Sequence, residues 1–114
     1  MRALWVVVLA LLVSACGRAV DRSSDQAYQS YRQGDCERVM LELSRTERRG
    51  RSRSYLQPEI SLLRGQCLER QKLYVDAAQT YRFITQRYAQ SEYAYRAQAR
   101  LDTLQQLGYI SAKP

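Results

Sequence analysis

Residues 74–88, YVDAAQTYRFITQRY, decide the fold of this chain. Their apolar side chains recur at intervals of 3, 1, 3, 3 and 4 residues, which is the spacing of an amphipathic α-helix. These positions are Tyr74, Ala77, Ala78, Tyr81, Ile84 and Tyr88. No stretch of the sequence sustains the period-2 alternation of a strand. The sequence therefore predicts an all-α fold built from short antiparallel helix hairpins.

Two further helices are predicted on either side of this one. Downstream, Ser91 can cap a helix that ends at Gly108, because serine binds free N–H groups and glycine accepts a left-handed conformation. Upstream, Pro58 suits the first turn of another helix. The apolar seams are Ala94, Ala97, Leu101 and Leu104 downstream, and Ile60, Leu63 and Cys67 upstream.

Residues 23–54 predict one more helix pair. Ser23 and Gln26 fit a capping box, so a helix is expected to begin at Ser23 and to stop at Gly34. A second helix is expected from about Asp35, fading into a loop at residues 47–54, ERRGRSRS. Its apolar face is formed by Cys36, Val39, Met40 and Leu43. The prediction is therefore about five helices in all.

Residues 1–17 carry the pattern of an export signal. Arg2 precedes an apolar run of 11 residues, shorter than the about 20 that cross a membrane as a helix. Residues 13–16, Val-Ser-Ala-Cys, then resemble the lipobox of bacterial lipoproteins. The resemblance implies removal of residues 1–15, acylation of Cys16 and a tether over residues 16–22. The alternative is an ordinary cleavable signal that leaves a soluble protein.

The lipoprotein resemblance also implies a location. Gly17 follows the cysteine, where an Asp tends to retain such proteins in the inner membrane. We therefore expect attachment to the cell outer membrane, facing the periplasm. Each buried acyl methylene contributes about 0.8 kcal/mol, so two or three chains give lasting attachment.

Composition narrows the functions that we expect. Without residues 1–15 the chain keeps 17 basic and 11 acidic residues, a net charge of +6. Export argues against nucleic acid as the acidic partner and leaves anionic lipid, wall carboxylates or acidic protein segments. The chain has no histidine and shows no nucleophile–base pair or metal-ligand spacing, so we expect no enzyme, metal or other cofactor.

An internal repeat relates the helix pairs. Gly65, Ala77 and Tyr81 lie 12 and 4 residues apart, and the same intervals occur 38 residues earlier. The earlier triplet is Ala27, Val39 and Leu43. Small, small and large residues at these spacings resemble the tetratricopeptide repeat (TPR), whose 34-residue unit is a helix pair.

The TPR resemblance implies a stack of two repeats and a capping helix over residues 23–108, followed by a tail at 109–114. Ala89 and Val39 depart from the residues usual in the family, which are proline and alanine. Similar repeats occur in envelope proteins such as the TPR lipoprotein of the beta-barrel assembly machinery and the Tol-Pal coordinator. A generic helical bundle with alanine-rich seams is the alternative.

The repeat register implies a cysteine pairing. It places Cys36 at the start of the second helix and Cys67 near the end of the third, on antiparallel neighbours. We therefore expect a disulfide between them, in keeping with an oxidising compartment. The alternative is two buried free thiols that act as small apolar residues.

The same register gives a candidate partner-binding groove. The family's concave positions fall on Tyr28, Tyr31, Arg32, Gln66, Arg70, Tyr93, Arg96 and Arg100. Arginine binds carboxylates with two parallel hydrogen bonds and tyrosine gives large, rigid contacts. The resemblance therefore implies an acidic peptide segment, or a free carboxyl end, as the ligand.

The densest charge of the chain is a basic loop formed by Arg48, Arg49, Arg51 and Arg53. It is either a solvated connection or a contact to anionic lipid or to an acidic partner.

The function that we expect is a lipid-anchored protein-interaction adaptor in envelope protein assembly. The alternative is a structural lipoprotein that binds peptidoglycan or anionic envelope surfaces through its basic patch.

Overall fold

The computed structural model describes residues 1–50 and 53–111, and within them the side chains of residues 12–21 and 23 are left out of the description. This part of the chain contains five α-helices, one short 3-10 helix and no strand. The α-helices are α1 (Arg2–Arg32), α2 (Cys36–Arg49), α3 (Gln57–Arg70), α4 (Tyr74–Arg87) and α5 (Glu92–Gln106), and the 3-10 helix is Ser54–Leu56. The predicted all-α class is confirmed.

The helices form a stack of antiparallel hairpins. α1 packs on α2, α3 packs on α4, and α5 packs on α4 and also touches α3. α2 and α3 join the two hairpins. The structure thus has two hairpins and a closing helix, as the repeat pattern predicts.

α1, α3 and α5 end in the same kind of turn. Gly34, Lys72 and Gly108 have positive φ angles of 79°, 62° and 77°. In each turn the following N–H bonds the carbonyl five residues earlier, as in the Schellman motif. These bonds join Asp35 to Ser30, Leu73 to Leu68 and Tyr109 to Leu104, at 3.0, 2.9 and 3.0 Å. The shared turn supports an equivalence of the three helices within the stack.

The core has two parts, one on each side of α3. The first part, between α1, α2 and α3, is formed by Ala27, Cys36, Val39, Leu43, Ile60, Leu63 and Cys67. The second part, between α3, α4 and α5, is formed by Leu62, Ala77, Ala78, Tyr81, Ile84, Ala94, Ala97, Leu101 and Leu104. The sequence pattern predicts one apolar stripe on α3, whereas this central helix uses two.

Gly65 leaves room for Tyr81 between α3 and α4. A Cβ built on Gly65 would lie 2.5 Å from Cε1 of the Tyr81 ring, which is too close for any side chain. Tyr81 is fully buried. The small residue and the large residue that the repeat spacing relates, Gly65 and Tyr81, thus pack against each other.

Three predicted boundaries are wrong. The helix expected from Ser23 begins at Arg2, because the alanine- and leucine-rich segment before it also favours helix. The loop expected from residue 47 begins later, since α2 continues to Arg49 with Arg48 and Arg49 in its last turn, where basic residues are stabilised. The expected tail is partly packed, because Tyr109 stacks on Tyr74 and Ile110 touches the second core part.

Residues 2–11, in the N-terminal part of α1, are exposed. Their large apolar side chains are exposed, Trp5 at 71% and Leu4 at 72% among them. In the described part of the chain, no helix combines the length and apolar character that a membrane crossing requires.

Candidate functional site

Some of the predicted groove residues line a cavity of about 440 Å³, which we call the tyrosine cavity. It lies where α1, α3 and α5 end, beside the turns at residues 34, 72 and 108. Its lining is Tyr31, Gln66, Glu69, Arg70, Tyr74, Arg100, Leu104, Leu107 and Tyr109. Four of the eight predicted groove residues, Tyr31, Gln66, Arg70 and Arg100, are therefore brought together.

Glu69 organises the wall of this cavity. Its two carboxylate oxygens accept hydrogen bonds from Arg100, Nη2 to Oε1 at 2.7 Å and Nε to Oε2 at 3.0 Å. The Tyr81 hydroxyl donates to Oε2 at 2.7 Å. The hydrogen bond to Glu69 raises the pKa of Arg100. Burial, and then the hydrogen bond to Glu69, raises the pKa of Tyr81 far above its usual range.

The Glu69 contacts correct one part of the predicted groove. The repeat register predicts that Arg100 binds a ligand carboxylate, but its Nε and Nη2 groups both donate to Glu69. Arg100 and Glu69 together carry almost no net charge, so the remaining positive charge of the cavity comes from Arg70. The charge available to a ligand is therefore smaller than the sequence suggests.

Arg70 is held in place by Tyr31. Its guanidinium carbon lies 3.7 Å from the centroid of the Tyr31 ring, a cation–π contact. Its Nη1 also donates to the Tyr31 carbonyl oxygen at the end of α1. Arg70 is exposed, so the contact orients its charge without removing it from solvent.

Aromatic and aliphatic side chains form the rest of the lining of the tyrosine cavity. Tyr74 and Tyr109 stack with their ring centroids 4.1 Å apart. Leu107, which is 60% exposed, and Leu104 lie beside them. The cavity thus combines one oriented cation with an apolar surface, as small peptide-binding clefts do.

The other four predicted groove residues lie outside the tyrosine cavity. Tyr28 packs on the first core part and its hydroxyl donates to Glu59 Oε1 at 2.5 Å. Burial, and then that hydrogen bond, raises the pKa of Tyr28 far above its usual range. Tyr93 packs on the second core part, and the Arg96 guanidinium lies 5.9 Å from its ring centroid. Arg32 is exposed at the end of α1 and does not line the cavity.

The predicted basic loop is divided between a helix and a turn. Arg48 and Arg49 belong to α2, Arg53 precedes the 3-10 helix, and Arg51 lies outside the described residues. Arg48 and Arg53 line a second cavity of about 400 Å³ between the end of α2 and the start of α3. Glu47 beside them is bound by Arg64 and Gln57, each at 3.1 Å.

The cysteines occupy two different environments. The Sγ atoms of Cys36 and Cys67 lie at disulfide distance, 2.32 Å apart, with their Cα atoms 5.4 Å apart. This geometry is what the repeat register predicts, and formation of the bond in the cell stays a prediction. Cys16 lies within α1, and its side chain is outside those described.

Sequence reasoning missed Glu69, Tyr74 and Tyr109 as site residues. Tyr74 was placed on the apolar seam and Tyr109 in the tail. Glu69 had one usable signal, its position four residues after Gly65, one helical turn along the face that meets Tyr81 of α4. No pattern in the sequence could pair it with Arg100, which is 31 residues away.

Known proteins give no further guide to the site. A scan against protein-family models finds no match, and searches of curated proteins and of solved structures also find none. Among the described residues, no group of three or more cysteine or acidic side chains could hold a metal ion.

Proposed function

We propose that this chain is a lipid-anchored periplasmic lipoprotein of the TPR type that acts as a non-enzymatic adaptor. The observation that carries the proposal is the tyrosine cavity, which presents Arg70 beside the stacked Tyr74 and Tyr109 rings. In this proposal Cys16 carries the acyl chains, and the apolar segment before it is the removed signal. The exposure of residues 2–11 supports that reading, because none of them belongs to either part of the described core.

The proposed ligand is a segment of an envelope protein with an acidic group next to an apolar side chain. The acidic group would bind Arg70, since arginine binds carboxylates through two parallel hydrogen bonds. The apolar side chain would contact Leu107 and the stacked tyrosines, and aromatic anchors of this kind dominate many interfaces. Assembly of outer-membrane proteins, or of a secretion or pilus complex, is the process that the TPR resemblance favours.

The anchor is tested by the intact mass of the protein extracted from membranes. The proposal predicts a chain that begins at Cys16 and carries two or three acyl groups. It also predicts that Cys16→Ser releases the protein from the membrane fraction or blocks its processing. A mature chain without acyl mass would exclude the anchor.

The cavity is tested by co-purification from detergent-solubilised envelopes. Arg70→Glu should remove the partner, because it places a like charge opposite the acidic group. Arg38→Glu, on the exposed surface of α2, makes the same charge change outside the cavity and should retain it. Equal retention by both variants would exclude the tyrosine cavity. Salt-dependent sedimentation of both variants with purified cell wall would instead support the structural alternative.

A further inference from the structure

The end of the bundle opposite the tyrosine cavity carries a second feature, a concentration of exposed basic residues. We call it the basic end, formed by Arg48 and Arg49 of α2, Arg53, and Arg87 in the last turn of α4. Arg48, Arg49 and Arg87 are exposed and Arg53 is half-buried. Tyr55 lies beside Arg53 and is 69% exposed.

Acidic residues at the basic end are fewer and mostly bound. Glu47 pairs with Arg64 at 3.1 Å, and Glu59 accepts the hydrogen bond from Tyr28. Among the described residues at this end, Glu92, in the first turn of α5, is an exposed acidic residue. The five arginines here, Arg64 included, outnumber the three glutamates, so the described residues of this end carry a net positive charge.

The helix pairing places Cys16 at this same end. Ser24 of α1 and Leu43 of α2 line one small cavity, so they lie at the same level of the antiparallel pair. Cys16 lies eight residues before Ser24 in α1, which is about 12 Å along the helix axis toward the basic end. Arg48 lies five residues after Leu43 in α2, which is about 8 Å in the same direction because the helices are antiparallel. Arg48 thus lies about 4 Å, measured along the helix axes, from the level of Cys16.

We infer that the basic end rests on the anionic phospholipid surface of the membrane that holds the acylated Cys16. This inference depends on the proposed acylation and adds to it an orientation of the folded domain. The arginines lie within about one Debye length of the headgroups, about 8 Å at physiological salt. Tyr55 is the type of side chain that settles at a membrane–water interface.

The orientation has a consequence for the tyrosine cavity. The turns at Gly34, Lys72 and Gly108 lie at the other end of the hairpins, and the cavity lies beside them. With the basic end on the lipid, the cavity opens away from the membrane, toward soluble or periplasmic segments of a partner. The basic end would thus contact the membrane, and the end with the tyrosine cavity would bind the partner.

The experiment uses acylated protein reconstituted into vesicles of phosphatidylcholine alone or of an equimolar mixture with phosphatidylglycerol. Tyr55→Trp serves as the reporter, because the wild-type chain has a single tryptophan, Trp5, which lies in the segment removed before Cys16. Quenching of this tryptophan by a nitroxide on the lipid headgroup measures proximity to the surface. Leu73→Trp, in the turn between α3 and α4, reports on the opposite end.

We expect strong quenching of Tyr55→Trp in the phosphatidylglycerol vesicles, weakened by salt, and little quenching of Leu73→Trp. Each basic residue near an anionic surface favours contact by about fivefold. Replacing Arg48, Arg49 and Arg53 by Gln should therefore lower the contact equilibrium by roughly a hundredfold. The matched triple variant Arg32→Gln/Arg38→Gln/Lys72→Gln should leave it unchanged.

Two results would overturn the inference. Equal quenching in both vesicles, or equal effects of the two triple variants, would exclude the basic end while leaving the acyl anchor intact. Absence of acyl mass on the protein would exclude the anchor and the orientation together. Circular dichroism of each variant verifies that its helices are retained.

Discussion

Gly65 and Tyr81 show how single residues set the distance between helices. The Tyr81 ring fills the space that a side chain on residue 65 would need, and its hydroxyl reaches Glu69. The sequence could predict this pair because both residues repeat at fixed intervals from Ala27 and Leu43. It could not predict that Glu69 would bind Arg100, because that contact depends on how α5 closes the stack.

The Gly65 contact predicts a strong coupling between residues 65 and 81. Gly65→Ala should destabilise the protein by about 1 to 3 kcal/mol, the usual cost of overpacking a core. In a Tyr81→Leu background, which reproduces the Ala27 and Leu43 combination of the first hairpin, the same change should cost at least about 1 kcal/mol less. Denaturant unfolding of the four proteins measures the coupling, and strictly additive effects would contradict it.

The surroundings of Glu47 predict that this residue contributes to the free energy of unfolding in a pH-dependent way. Burial by itself would raise its pKa, but hydrogen bonds from Arg64 and Gln57 outweigh burial and lower the pKa below 4.5. A lowered carboxyl pKa stabilises the fold above the unfolded-state pKa, and this contribution is lost as the pH falls through the folded-state pKa. Because Glu47 is partly exposed, we expect Glu47→Gln to cost only about 0.5 to 1 kcal/mol at neutral pH.

Unfolding curves for Glu47→Gln and wild type, recorded from neutral pH downward through 4.5, measure this difference. The two curves should converge on the acidic side. Asp25→Asn, which makes the same loss of one negative charge at an exposed carboxyl of α1, serves as the control for the change in net charge. A constant difference between Glu47→Gln and wild type at all pH values would exclude the ionic origin.

At the scale of elements, helix faces were easier to predict than helix ends. The apolar seam of α5 and the cap at Ser91 match the structure, with Ser91 accepting from Ala94 N–H at 3.1 Å. Asp35, predicted only as the approximate start of α2, caps that helix by accepting from Arg38 N–H at 3.0 Å. The start of α1 and the end of α2 differ from the prediction because helix propensity continues past the residues that signalled a boundary. The second apolar face of α3 was missed because a central helix loses the simple one-sided pattern.

The Cys36–Cys67 pair connects α2 to α3, and we expect its removal to lower the free energy of unfolding strongly. A cross-link over a sequence separation of 31 residues should contribute roughly 3 to 4 kcal/mol by chain entropy. Cys36→Ala/Cys67→Ala should lower the free energy of unfolding by about that amount. Reductant should destabilise the wild type and leave the double variant unchanged.

Alkylation provides an independent measurement of the cysteine pair. Denatured protein from the oxidising compartment should react with iodoacetamide only after reduction, and its mass should then rise by two adducts. Reaction of both thiols without reductant would contradict the disulfide. It would favour the alternative that Cys36 and Cys67 are buried apolar side chains.

The whole molecule is a short stack whose two ends differ in chemistry. One end presents the tyrosine cavity and the other presents the exposed arginines, at the level where α1 leads to Cys16. The sequence could predict the all-α class and four of the nine residues that line the cavity, because repeat spacing carries that information. The anchor motif at residues 13–16 stays a prediction. The stacking of Tyr109 on Tyr74 and the use of Arg100 by Glu69 depend on the final packing and could not be read from spacing.

The adaptor role is tested most directly by photo-crosslinking in intact envelopes, with a photoreactive amino acid at residue 109 of the tyrosine cavity. The same amino acid at residue 79, exposed on α4, is the control. We expect a discrete adduct with one envelope protein from position 109, its loss in an Arg70→Glu background, and none from position 79. No adduct from position 109, or equal adducts from both positions, would contradict the adaptor role.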